Sequence, residues 1–134
     1  CDIIPEQAQE TKEKFGSSDA KVFTDYRELV KEDLDVVYVT TPNRSHSEIS
    51  IAAMEAGKDV MCEKPMARTY AETEKMLETA KRTGRVLNIA YQNRYRPDSA
   101  YLKEMCKNRR DGRHLFCKGA CAQKESGAYL GGIS

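Results

Sequence analysis

The sequence lacks the features that several classes of protein require. It contains no tryptophan and no apolar run long enough for a membrane span, and its 22 basic side chains are balanced by 21 acidic ones. A membrane span needs about 18–20 consecutive apolar residues, and a nucleic-acid-binding domain usually carries a clear excess of basic charge. The composition therefore predicts neither a membrane nor a nucleic acid as a partner.

Cysteine is present, but without the spacing of a disulfide framework or a zinc site. The five cysteines are odd in number, and no two of them form a Cys-x-x-Cys pair. We expect free thiols, a cytoplasmic location and no metal site. The chain also opens on Cys1 without an initiator methionine or a basic leader, and we expect its true start to lie upstream.

Helix and strand signals alternate along most of the chain. Helix caps or helical apolar spacing mark five segments, residues 5–15, 25–30, 45–56, 69–83 and 97–106. Apolar, β-prone runs mark three strands, residues 36–40, 59–62 and 85–90. The first run fits a strand that is buried on both faces. Short connections between alternating strands and helices predict parallel pairing, and hence an α/β fold with a partial doubly wound parallel sheet.

Polar residues follow each predicted strand, at the edge where doubly wound sheets bind their ligands. This rule selects Asp2 and three turns, residues 40–43, 63–65 and 91–94. A carboxylate at Asp2 would accept hydrogen bonds from an adenosine ribose and would repel a 2′-phosphate, which favours NAD over NADP as the cofactor. The alternative is that Asp2 caps the following helix.

Four motifs carry a resemblance to a known family. They are Thr41-Pro42-Asn43 with His46, Ala56-Gly57-Lys58-Asp59-Val60, Glu63-Lys64-Pro65, and Asn93-Arg94-Tyr95-Arg96-Pro97. In order and spacing they resemble the glucose–fructose oxidoreductase and inositol dehydrogenase family (Gfo/Idh/MocA), over about residues 1–112. The resemblance implies an N-terminal Rossmann domain that binds NAD(P), and oxidation of sugar or polyol hydroxyls.

The resemblance also implies roles for particular residues. Lys64 is the expected catalytic residue, whose ammonium stabilises alkoxide charge or relays a proton, and the alternative is a solvated lysine after a strand. The cofactor cleft is expected to involve the residues of the first and third motifs, Thr41, Pro42, Asn43, His46, Glu63, Lys64 and Pro65.

Within that set, Glu63 is expected near the nicotinamide ribose, and Pro65 is expected to follow a cis peptide. The alternative for His46 is that it only packs against the cofactor turn. Asn93 and Arg94 are expected on the substrate side of the cleft, and the alternative for Arg94 is a structural ion pair.

The resemblance ends near Gly112. Residues 113–134 show neither helical nor alternating periodicity. Permitted codons for this stretch, shifted by one nucleotide, spell a sequence similar to the start of the family's second domain. We expect residues 1–112 to form a partial Rossmann domain with the start of a linking helix, and residues 113–134 to be an out-of-frame translation. A divergent terminus is the alternative.

Three hypotheses for function follow. The first is a fragment of an NAD(P)-dependent sugar or polyol oxidoreductase that is inactive as written. The glycine-rich phosphate loop would precede Asp2, and the catalytic Asp and His, with the oligomer interface of a homo-oligomeric parent, would lie in the second domain. The alternatives are a fragment of an NAD-dependent glycoside-cleaving relative and a non-catalytic nucleotide- or partner-binding remnant.

Overall fold

Three parallel strands organise the first part of the chain. The computed structural model describes the backbone of residues 1–108 and the side chains of residues 1–104. The first of its two compact units covers Cys1–Gln92. Its helices are α1 (Pro5–Phe15), α2 (Tyr26–Leu29), α3 (His46–Glu55) and α4 (Tyr70–Thr83), and its strands are β1 (Val36–Val39), β2 (Asp59–Glu63) and β3 (Leu87–Ala90).

The sheet has the order β1-β2-β3, and both neighbouring pairs are parallel. Val36 lies opposite Asp59, and Cys62 lies opposite Ile89. The parallel pairing predicted from the short connections is therefore confirmed. Because parallel strands point the same way, their polar continuations meet at one edge of the sheet.

Local capping explains where the helices begin. The Asp25 carboxylate accepts a hydrogen bond from the Arg27 amide, and Thr69 and Glu72 form a reciprocal capping box before α4. Pro5 occupies the first turn of α1, where its missing N–H costs nothing. These three helix starts agree with the sequence predictions.

Two glycines mark the turns that lead from a helix into the next strand. Gly57 has a φ of +79° between α3 and β2, and Gly84 has a φ of +68° between α4 and β3. Other residues rarely adopt this left-handed conformation, and glycine adopts it without steric cost.

The core lies on one face of the sheet. Val37, Val39, Val60 and Cys62 are buried there with the α3 side chains Ile49, Ala53 and Met54. The prediction that the 36–40 strand is buried on both faces is wrong for the described residues, since Val36 and Tyr38 are 55% and 52% exposed. A continuous apolar run does not by itself reveal which of its alternate side chains a helix covers.

The second compact unit begins at Asn93, and within its described part α5 spans Pro97–Asn108. The prediction that a helix opens at Pro97 is confirmed. The predicted boundary after Gly112 and the predicted out-of-frame tail lie outside the described residues. Within residues 1–108, no helix has the length and apolar character needed to cross a membrane.

Candidate functional site

The turn after β1 is closed by a serine that the sequence analysis did not select. Pro42 precedes the short 3₁₀ helix Asn43–Ser45, and the Ser45 amide donates to the Pro42 carbonyl at 2.9 Å. The Ser45 hydroxyl lies 2.9 Å from the Thr41 hydroxyl and 2.9 Å from the same carbonyl. Asn43 is exposed, and among the described residues no hydrogen bond engages its side-chain amide. The turn is therefore held by Thr41 and Ser45, while Asn43 is left available to a ligand.

The turn after β2 places Glu63 and Lys64 side by side. One carboxylate oxygen of Glu63 accepts the Tyr38 hydroxyl at 2.7 Å, and the other accepts the Lys64 amide at 3.2 Å. The Tyr38 hydroxyl is the main cause that lowers the pKa of Glu63, and the same bond raises the pKa of Tyr38. Glu63 is therefore an ionised group with both oxygens engaged, which makes it a weak proton acceptor.

Lys64 extends from this second turn, and its positive charge helps to lower the pKa of the neighbouring Glu63 carboxyl. Its side chain is exposed, and the structure records neither a hydrogen bond nor an ion pair of its ammonium within residues 1–104. The Lys64–Pro65 peptide is cis, as the resemblance implies. An exposed ammonium that forms no hydrogen bond or ion pair with the described residues is available to an oxygen of a bound ligand.

The His46 side chain lies between the two turns and contacts both of them. The residue is 1% exposed, and its Nδ1 and Nε2 atoms each lie 2.7 Å from a backbone carbonyl oxygen, of Pro65 and Thr41 respectively. The structure thus brings Thr41, His46 and Pro65 together at the carboxyl edge of β1 and β2. The packing alternative for His46 matches this geometry, and its direct contact with a cofactor stays a prediction.

Asp2 lies at two grooves beside this edge. Its amide donates to the Phe23 carbonyl at 3.2 Å, and one of its carboxylate oxygens accepts the Ile4 amide at 2.9 Å. Ile4 is the N-cap of α1 and no side chain caps that helix, so Asp2 forms a local turn without acting as the cap.

The first groove has a volume of about 400 Å³ and is lined by Asp2, Tyr38 and Thr40 among others. The second, of about 270 Å³, is lined by Asp2, Thr41 and Arg27 among others. Asp2 and Thr41 therefore line one groove, and their contact with a cofactor stays a prediction.

A cluster of side chains from α2 and α3 borders the second groove and was missed by the sequence analysis. The Glu48 carboxylate accepts the Tyr26 hydroxyl at 2.5 Å and an Arg27 guanidinium nitrogen at 3.1 Å. The guanidinium also lies over the Tyr26 ring, 4.7 Å from its centroid. Arg27 is thus committed to a carboxylate. No signal in the sequence connects Tyr26 with a residue 22 positions later.

The two residues predicted on the substrate side belong to the second unit. Asn93 and Arg94 lie in the 3₁₀ helix Gln92–Tyr95, directly after β3 in the chain. The Arg96 amide donates to the Asn93 carbonyl at 3.4 Å. Their position after a strand agrees with the sequence analysis, and their substrate contacts stay a prediction. Among the residues described, no three His, Cys, Asp or Glu side chains are gathered as metal ligands.

Comparison with known proteins gives matches over most of the chain. Residues 1–91 match the family profile GFO_IDH_MocA, described as an oxidoreductase family with an NAD-binding Rossmann fold. The inositol 2-dehydrogenase of Salmonella paratyphi B is 33% identical over 121 residues, which cover 89% of this chain and 36% of that protein. The D-xylose 1-dehydrogenase (NADP⁺) of Hypocrea jecorina is 42% identical over 91 residues, which cover 67% of this chain and 23% of that protein.

A solved structure gives the same result at the level of the fold. The WlbA dehydrogenase of Chromobacterium violaceum, in complex with NADH and UDP-GlcNAcA, aligns with a TM-score of 0.78 and 32% identity. The alignment covers 84% of this chain and 32% of that one. The chain therefore spans about a third of the length of these relatives or less.

Proposed function

The chain belongs to the Gfo/Idh/MocA family of oxidoreductases with an NAD-binding Rossmann fold, and from that premise we propose that it forms the cofactor-binding part of an NAD(P)-dependent dehydrogenase of sugar or polyol hydroxyls. One observation carries the proposal. The Thr41 and Pro65 turns converge on His46, and the Lys64 ammonium extends from the second turn with no hydrogen bond or ion pair to residues 1–104. The fixed turns can position a cofactor, and the available cation can position a substrate hydroxyl.

The residues at the carboxyl edge suit a dinucleotide. Asp2 and Thr41 line one groove, and only one oxygen of the Asp2 carboxylate is taken by the Ile4 amide. We assign the adenosine ribose to Asp2 and the cleft wall to Thr41, Pro42 and Asn43. The negative charge of Asp2 favours NAD over NADP.

Lys64 is the residue of these turns that suits the chemistry. A bound dinucleotide would be held by Asp2, Thr41, Pro42 and Asn43, and it would supply the hydride acceptor for oxidation of the substrate hydroxyl. The Lys64 ammonium donates a hydrogen bond to the substrate oxygen and stabilises the negative charge that develops there. Glu63 is unsuited to the role of base because the Tyr38 hydroxyl lowers the pKa of its carboxyl. We assign Glu63 to the nicotinamide ribose.

The proton acceptor is then supplied from outside the described residues. The resemblance implies a catalytic Asp and His in a second domain, and the chain spans only 36% of the inositol 2-dehydrogenase that it matches. We therefore propose that residues 1–104 supply the cofactor side of the site, and that the second domain of a homo-oligomeric parent supplies the proton acceptor.

The test is a calorimetric titration of the chain with NADH, with NADPH as the second ligand. Asn43→Ala is the site variant, and Asn88→Ala, which is exposed on β3, is the matched control. We expect NADH to bind, Asn43→Ala to weaken binding about tenfold, and Asn88→Ala to leave it unchanged.

Two results would contradict the proposal. A chain with helical circular dichroism that binds no NADH would favour the partner-binding alternative. A substrate-dependent rise in nicotinamide absorbance, on adding myo-inositol or xylose to the chain with NAD, would show that the chain contains its own proton acceptor.

A further inference from the structure

The second groove carries more negative than positive side-chain charge. The charged side chains that line it are Asp2, Asp25 and Arg27, and Arg27 is the only cation among the lining side chains in the described part of the chain. A phosphate group that enters the groove would be repelled by the two carboxylates and attracted by the guanidinium. Admission of a phosphate to this groove therefore depends on whether the Arg27 guanidinium is available to it.

Three contacts hold the Arg27 guanidinium in place. One of its nitrogens lies 3.1 Å from the Glu48 carboxylate, another lies 3.4 Å from the Asp25 carboxylate, and the group lies over the Tyr26 ring. The Tyr26 hydroxyl donates to the same Glu48 oxygen at 2.5 Å. Burial and this hydrogen bond raise the pKa of Tyr26, so its hydroxyl stays a donor. Two donors thus fix the Glu48 carboxylate, which in turn holds the guanidinium.

Glu48 differs from the two aspartates because it is not among the described residues that line the groove. It lies in the first turn of α3, whereas Arg27 belongs to α2. Its charge therefore acts on the groove mainly by neutralising the guanidinium. The two side chains are 62% and 60% exposed, so solvent screens the ion pair and its contribution to stability is small. Such a pair can influence which ligand binds without being needed for the fold.

We propose that Glu48 is a positioning residue for the choice of cofactor and acts through Arg27. By pairing with the guanidinium, Glu48 withholds the one cationic side chain of the second groove from the 2′-phosphate of NADP. The negative charge of Asp2 then excludes that phosphate. This inference rests on the proposed function and adds a second determinant to the one assigned to Asp2. It also predicts that Arg27 becomes a phosphate ligand when Glu48 is neutralised, because guanidinium donors match phosphate oxygens.

The first experiment removes the charge of Glu48 and keeps its shape. Glu48→Gln retains an oxygen acceptor for the Tyr26 hydroxyl. We expect calorimetric titration with both cofactors to show an NADPH-to-NADH affinity ratio that is about fivefold higher, as for one charge contact near a surface. Glu55→Gln is the matched control, because Glu55 also lies on α3 and pairs with Arg82, and neither residue lines the groove. An unchanged ratio, or an equal rise in the control, would overturn the proposal.

The second experiment asks whether the effect passes through Arg27. In a chain that already carries Arg27→Gln, we expect Glu48→Gln to leave the affinity ratio unchanged, because no guanidinium remains to be released. A rise of the same size in both backgrounds would show that the Glu48 charge acts directly on the ligand, and it would overturn the positioning role. A merely structural role of Glu48 would change both affinities together and leave their ratio as it was, which would overturn the proposal as well.

A pair of smaller probes locates the effect. Adenosine 2′,5′-bisphosphate and 5′-AMP differ only in the 2′-phosphate, and we expect Glu48→Gln to strengthen binding of the bisphosphate and not of 5′-AMP. A gain for NADPH without a gain for the bisphosphate would place the effect outside the adenosine part of the site and overturn the proposal. Failure of the proposed function is distinguishable, since the unsubstituted chain would then bind neither cofactor, whereas failure of this inference alone leaves NADH binding and removes only the change in ratio.

Discussion

The two sides of the candidate site are held by different means. The turns after β1 and β2 rest on the buried His46 ring, whose two nitrogens each lie 2.7 Å from a carbonyl oxygen, and on the buried core of α3. Asp2 is held by one backbone hydrogen bond of 3.2 Å and by one bond to its own local turn, next to Ile3, which is 82% exposed. The comparison indicates that the turn side is fixed before a ligand arrives, whereas the Asp2 side is attached by few contacts.

The largest expected effect comes from removing the support of the turn side. Met54 on α3 is 0% exposed, and Met54→Ala should lower the free energy of unfolding by about 2–5 kcal/mol through lost burial and a cavity. Urea denaturation followed by circular dichroism measures this loss. Met61→Ala is the matched control because Met61 is 37% exposed, and it should cost less. Equal losses of unfolding free energy for the two variants would show that the packing of α3 does not support the turns.

The effect expected on the Asp2 side is intermediate in size, and it concerns the choice of cofactor and not the stability of the chain. Asp2→Asn keeps an acceptor for the Ile4 amide and removes the charge. The NADPH-to-NADH affinity ratio should rise about fivefold, as expected for one charge contact near a surface. Calorimetric titration with both cofactors measures the ratio, and Asp33→Asn, at an exposed position, is the control. A ratio that does not change would remove Asp2 from the cofactor site.

The smallest expected effect sharpens the description of the turn side. Tyr38→Phe removes the hydroxyl that lowers the pKa of Glu63, so this pKa should rise towards its ordinary value of 4.5. A carboxyl whose pKa is lowered by folding stabilises the folded chain at pH values above its ordinary pKa, and this stabilisation is lost as the pH falls. The variant lacks this contribution and should therefore lose less stability in acid. Carboxyl ¹³C titration measures the change, with Tyr70→Phe, 77% exposed, as the control. An unchanged Glu63 titration would contradict the assignment of the bond.

Features of the fold that depend on nearby residues could be predicted from the sequence. The Thr69 and Glu72 capping box, the Asp25 cap and the first turn at Pro5 each involve residues within three positions of one another. Parallel pairing followed from the short connections. The turn motifs at Thr41 and Glu63 were found for the same reason, because they follow strands that are locally recognisable.

Contacts that depend on register could not be predicted. Tyr38 lies opposite Met61, and only this register brings its hydroxyl to Glu63, which lies 25 positions away in the chain. The two acceptors of His46 lie 5 and 19 positions away. Nothing in a single sequence specifies such alignments, because they arise when the helices pack on the sheet. The exposed outer face of β1 was missed for the same reason.

The left-handed glycines between helix and strand have a consequence for natural variation. A Cβ atom added at Gly57 or Gly84 would meet no heavy atom within 4 Å, so a side chain there collides with nothing. The penalty is backbone strain alone, on the order of 1 kcal/mol for most residues and less for asparagine. A loss of this size alters the cellular abundance of a marginally stable protein. Substitutions at these two positions would therefore adjust how much protein persists in a cell while leaving the ligand-binding edge chemically intact.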